Sequence, residues 1–215
     1  EALARLELAD GQDEEALEYI SYGIPGNAAM FDHPPVARAL YMFGEHFSDE
    51  QILRLKEHLT THAGGLFGHG TENHAAMRIA STYLFAQYFS DATWNMGGNK
   101  QFTSEQMLSE AKKRILSRGK GFYRVGNNEQ LSSTYASVSM YPFLTLLEYA
   151  EDPEVRDAAE ALVLYHMAMV AVNNFDGHIM PPYNRRNAVQ QRFGPPEKKT
   201  GRYVPIHLPF AWLYW

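Results

Sequence analysis

Apolar residues recur at helical spacing along most of the chain, and polar runs punctuate them. From Glu72 to Phe89, for example, Met77, Ala80, Leu84 and Tyr88 fall on one side of a helix. This periodicity predicts seven helices. They run from about Asp13 to Tyr22, Pro34 to Phe47, Asp49 to His62, Glu72 to Phe89, Ser104 to Arg118, Ser133 to Tyr149 and Pro153 to Asn173. Local signals set the ends. Pro34 and Pro35 suit a first turn, where a missing N–H costs little. Ser48 with Gln51 three residues on reads as a capping box, and Gly64 and Gly65 as the stop that follows. Thr71 reads as a cap for the fourth helix, and Gly119 with Gly121 as the end of the fifth. Pro142 should kink the sixth.

Short and medium loops pair the second helix with the third, the fourth with the fifth and the sixth with the seventh. The expected fold is all-α, built from successive helical hairpins without an obvious sequence repeat. No strand-rich segment of any length is expected. From Asp176 onward the character changes: Pro181, Pro182, Pro195, Pro196, Pro205 and Pro209 alternate with Arg185, Arg186, Arg192 and Arg202. Tyr183, Phe193, Tyr203 and Trp212 would anchor this loop-rich C-terminal tail.

Composition narrows the function classes. The chain has 215 residues, 45% hydrophobic and 20% charged, enough for one domain with a sizeable core. Its net charge of -6 argues against a duplex-binding surface, so nucleic acid is not an expected partner. A few local arginines could still serve an anionic sugar. With no cysteine, disulfides and thiol catalysis are excluded. No apolar run approaches the roughly 20 residues needed for a membrane span. The chain starts at Glu1 and stops in the apolar run Leu208 to Trp215, so residues 1–215 are expected to be one domain excised from a longer protein.

Two segments break the helix grammar. In Gly68-His69-Gly70-Thr71-Glu72-Asn73-His74, glycines precede a helix that opens with Glu, Asn and His. A helix start carries N–H groups and positive partial charge that suit an anion. Asn73 offers an amide donor, and His74 a proton acceptor near neutral pH. The plainer reading makes Glu72 and Asn73 helix caps and His74 a packing residue. The second segment runs from Arg124 through Asn127, Asn128, Glu129 and Gln130 to Tyr135, again at a helix start. Tyr135 and Ser139 lie one turn apart on one face. Its plainer reading is a serine cap with a half-buried tyrosine. Each segment precedes the first helix of a hairpin, so both should open onto the same end of a barrel of hairpins. His178, Tyr183, Asn184, Arg185 and Arg186 follow the last helix and could reach that end, where arginine could hold a carboxylate or sulfate. His62, His69, Glu72 and His74 match no standard zinc signature, and no phosphate loop, dinucleotide fingerprint or nucleophile elbow is present. Neither a metal nor a cofactor is expected. His33, His46, His58, His166 and His207 are scattered and read as structural.

The Glu72-Asn73-His74 run opening an amphipathic helix resembles the Asn-His motif of the helical-toroid polysaccharide lyases, the alginate lyase and heparinase-like enzymes. The Asn128-Glu129-Gln130-Leu131-Ser132-Ser133-Thr134-Tyr135 run, with the helix ending Leu146-Leu147-Glu148-Tyr149-Ala150, is similar to the next inner helix of such toroids. The resemblance covers roughly residues 68–186. It implies an incomplete (α/α) toroid of inner and outer helices. It also implies β-elimination at a uronic acid in an acidic polysaccharide or oligosaccharide, in a periplasmic or secreted setting. Asn73, with Arg124 or Arg185, would neutralise the substrate carboxylate, and Asn128, Tyr183 and Arg186 would join in binding. His74 or Tyr135 would remove the C5 proton, and Tyr135 could protonate the leaving oxygen. Glu72 departs from the motif, which often reads Asn-Asn-His. Two other classes remain open. One is a glycoside hydrolase on a similar barrel, with Glu72 and Glu129 as its carboxylates. The other is a non-catalytic scaffold binding glycan or protein through Trp94, Tyr183 and Trp212.

Overall fold

The computed structural model describes residues 1–22, 29–68, 70–126, 135–172, 174–175 and 178–179, with residues 29–30, 135–137 and the last two pairs described by backbone alone. Among them lie eight α-helices: α1 (Ala2–Leu8), α2 (Glu14–Ser21), α3 (Ala29–Phe43), α4 (Asp49–Thr61), α5 (Glu72–Tyr88), α6 (Ser104–Val125), α7 (Tyr135–Tyr149) and α8 (Pro153–Val172). The chain is thus mostly helical. Two small antiparallel pairs accompany them: β1 (Thr93–Gly97) with β2 (Lys100–Thr103), and β3 (Asn174–Phe175) with β4 (His178–Ile179).

Alternate helices pack into two layers. In one, α3, α5 and α7 touch one another and α1 lies against α3; in the other, α2 packs on α4 and α6 on α8. The layers are joined by α1 on α2, α5 on α6 and α7 on α8. Burial follows from this. Helix α5 meets α3, α6 and α7, and Ala76 to Ala86 is buried almost throughout, with Phe85 and Ala86 fully so. A helix packed on several sides needs an apolar surface all round. The outer helix α6 buries one stripe, Met107, Ala111, Ile115 and Phe122, and exposes lysines and arginines opposite.

Several expected boundaries hold. Ser48 and Gln51 form the capping box of α4, Ser48 Oγ accepting from Gln51 N at 3.3 Å. Others are corrected. Helix α6 runs through Gly119 and Gly121 and stops at Gly126, whose φ is 76°. Phe122, buried beyond the glycines, ties the extra turn to the core. Helix α3 begins at Ala29, so Pro34 and Pro35 sit inside it and cannot donate to the carbonyls of residues 30 and 31. Helix α1 was not expected. It buries Leu6, ends at Asp10 and Gly11 with φ of 48° and 79°, and is tied by Arg5 Nε to Asp13 at 2.8 Å. The predicted pairing of α3 with α4 gives way to α4 packing on α2 and β1.

The β1–β2 hairpin was also missed. Gly98 and Asn99, with φ of 58° and 66°, turn it tightly, as a left-handed two-residue loop requires. It wedges between α4 and α6. Trp94 on β1 is fully buried, its Nε1 donating to Ser104 Oγ at 2.9 Å. That removes it from any exposed aromatic binding surface. Among the described residues, no helix is long and apolar enough to cross a membrane. The tail calls from Asp176 onward lie outside the described residues, apart from the backbone of 178–179.

Candidate functional site

Helix direction decides which ends meet. Phe31 near the start of α3 lies edge-on to His74 near the start of α5, ring centroids 5.3 Å apart. At the other end, Tyr41 Oη donates to Leu84 O at 3.1 Å, and Gln87 Nε2 donates to Tyr149 O at 2.9 Å. So α3, α5 and α7 run in parallel, and their starts gather at one end. Helix α6 runs opposite, and its Arg118 reaches the first turn of α5. The starts of α5 and α7 therefore face the same end, with Tyr135 as the first residue of α7.

The loop from Phe67 to Glu72 is built for close approach. A Cβ on Gly70 would lie 2.8 Å from His74 Cβ, and one on Gly68 would lie 2.8 Å from Arg78 Nη1 and 3.0 Å from Gly65 O. The glycines thus make room for the two side chains that follow on α5. Thr71 does not cap as expected. Its side chain accepts nothing from the helix; its hydroxyl donates to Asn73 Oδ1 at 2.6 Å. Asn73 is fully buried, while Glu72 and His74 are half-buried.

Three guanidinium groups surround this loop. Arg114 Nη1 donates to Phe67 O at 3.3 Å and stacks over the Phe67 ring at 4.6 Å, its charge answered by Glu110 at 2.7 Å. Arg78 lies against Gly68. Arg118 Nη2 donates to the main-chain oxygen of Glu72, and its guanidinium lies 4.9 Å over the Phe122 ring. Its Nε is buried with no hydrogen-bond partner among the described residues. Burial holds the Arg118 pKa below the usual guanidinium value, and the nearby Glu72 charge partly offsets that. Histidines complete the end. His33 lies 5.9 Å edge-on to Phe85, with its pKa lowered to about 4 by burial and by the charges of Arg78 and His58. His58 and His62 stand 5.3 Å apart on α4 and the residue that follows it. His166 Nδ1 is 2.8 Å from Leu162 O, and its ring lies edge-on to Phe122.

The structure thus brings Glu72, Asn73 and His74 together with Arg118, Arg78 and His33, which sequence reasoning had not assigned to the site. Arg124 is exposed on the last turn of α6. Ser139 is fully buried on α7, and its Oγ has no hydrogen-bond partner among the described residues. Asn128, Glu129, Tyr183, Arg185, Arg186 and His69, and the side chain of Tyr135, lie outside the description. Among the described residues, no group of three or more His, Asp or Glu side chains could hold a metal ion. Comparisons with protein-family models, with curated proteins and with solved structures each return no match.

Proposed function

We propose that the chain is a polysaccharide lyase that cleaves a uronate-containing glycan by β-elimination, on an incomplete (α/α) toroid. The inner helices would be α3, α5 and α7, and the outer ones α4, α6 and α8. The observation that carries the reading is the concentration of Arg78, Arg114 and Arg118 around the start of α5, in a chain whose net charge is -6. A group of guanidinium side chains beside a helix N-terminus suits an anionic sugar.

In this reading His74 takes the C5 proton, while fixed donors stabilise the enolate that forms at the carboxylate. The bond from C4 to the glycosidic oxygen then breaks, and Tyr135 gives that oxygen a proton. The electron pair that the proton leaves on C5 becomes the new C4–C5 double bond, and the pair of the broken C4–O bond leaves with the oxygen. Glu72 fits better than its charge first suggests, because its field acts on Arg118.

The test is product analysis on a panel of uronate polymers. A lyase yields an unsaturated sugar absorbing in the near ultraviolet. New reducing ends without that absorbance would mean hydrolysis, with Glu72 and Glu129 as the carboxylates to examine. Binding without turnover would mean a scaffold.

A further inference from the structure

Two histidines at the end of α4 have no part in the elimination. His58 lies in the last turn of α4, and His62 is the residue that closes the helix. Four residues apart, they fall on the same side of it. Their rings stand 5.3 Å apart, tilted by 41°. His58 is half-buried and His62 exposed, so an ion in solution can reach the pair. We propose that His58 and His62 form a two-histidine site for a tetrahedral divalent transition-metal ion of the zinc class, with water completing the coordination. The proposal stands apart from the lyase reading.

The separation of the rings fits such an ion. An imidazole nitrogen binds zinc at about 2.0–2.1 Å, which puts each ring centre about 3.2 Å from the metal. Two rings at the tetrahedral angle then have centres about 5.2 Å apart. The observed 5.3 Å is already that separation. The tautomer fits as well. His62 Nδ1 lies 3.2 Å from His58 O. A carbonyl oxygen only accepts, so Nδ1 carries the proton of that bond, and the neutral ring keeps its lone pair on Nε2. A backbone carbonyl on the other ring nitrogen is the usual support of a metal-binding histidine. The helix adds its field: the last carbonyls of α4 carry partial negative charge at this end, which favours a cation. Zinc signatures in sequence count three or four protein ligands, and this site has two. Among the described residues no third His, Asp or Glu joins them, so the site is open and exchangeable. His62 leads into the buried Ala63 and into Gly64, whose Cβ would lie 2.9 Å from Met96 O on β1. A metal held by both rings fastens the end of α4 just before that contact, and binding to the folded state stabilises it.

The experiment titrates the chelator-treated chain with zinc chloride by calorimetry and repeats the titration with magnesium chloride. Zinc should bind saturably and raise the melting temperature, and magnesium should do neither, because imidazole prefers the transition metal. His62→Ala and His58→Gln should each weaken zinc binding by at least about tenfold, the loss that even an outer partner of a metal ligand causes, and should shrink the melting shift. His46→Ala, beside the start of α4, should leave both unchanged. If His58→Gln does not fold, the exposed His62→Ala carries the comparison. Unchanged zinc affinity in His58→Gln and His62→Ala would overturn the proposal and place the ion on other side chains. Absence of zinc binding by the wild type at millimolar zinc would overturn it too.

Discussion

His33 shows what burial does to a single residue at this end of the bundle. Its ring is enclosed against Phe85, and its pKa falls from 6.5 to about 4 because the charged form cannot be solvated there. The folded state therefore binds fewer protons than the unfolded state between those values. Stability from this group is present above pH 6.5 and is lost as the pH falls toward 4. A shift of this size corresponds to about 3 kcal/mol. His33→Phe should flatten the fall in denaturation midpoint across that window, as pH-dependent urea melts would read; an unchanged slope would assign the loss to other groups. His166, also held below the usual histidine value by burial, adds in the same direction. At this scale the sequence marked some residues and hid others. Glu72, Asn73 and His74 stood out because polar residues crowd a helix start after glycines. Arg118 did not, because it is one of several basic residues on an outer helix, among Lys112, Lys113, Arg114, Lys120 and Arg124. Only its burial over Phe122 separates it from them.

Helix α6 carries the clearest lesson at the scale of an element. Gly119 and Gly121 look like stops, yet the helix continues because Phe122 is buried beyond them. Among the described residues, a Cβ at either glycine would meet nothing within 4 Å. Gly119→Ala and Gly121→Ala should therefore each stabilise the fold by roughly 0.5–1 kcal/mol, since alanine costs less backbone entropy in a helix. Chemical denaturation would show it, and destabilisation would mean that the helix breaks there after all. The caps behave differently. Thr103 and Gln106 close a full capping box on α6, so Thr103→Ala should cost about 1 kcal/mol. Thr71→Ala should cost less by that route, because Thr71 caps nothing and holds Asn73 instead. Comparing the two variants by thermal melts would expose the difference. Caps such as Ser48 were legible because their chemistry is local. The β1–β2 hairpin was not: its strands are short, and its packing between α4 and α6 comes from tertiary contacts around Trp94.

Over the whole molecule, the alternation of layers gives the two ends different chemistry. One end gathers Tyr41, Tyr88, Gln87 and Tyr149 in a hydrogen-bonded and stacked set that joins α3, α5 and α7. The other gathers the starts of α5 and α7 beside Arg118. The core between them is continuous, so Leu84→Ala, at 1% exposure on α5, should cost about 2–5 kcal/mol and loosen both ends together. The helical class and the hairpin order of α5–α6 and α7–α8 were readable from periodicity and loop length. The layering was not, because nothing local tells an inner helix from an outer one until α5 is seen to be buried on several sides.

The proposed β-elimination takes place where α5 and α7 begin, with His74 as base and Tyr135 as acid. Its most direct measurement is the near-ultraviolet absorbance of unsaturated product released from uronate polymers by the wild type, His74→Ala and Tyr135→Phe. The wild type should release product from at least one polymer, and each variant should lose at least about 100-fold in kcat with folding intact. Full activity in both variants would contradict it.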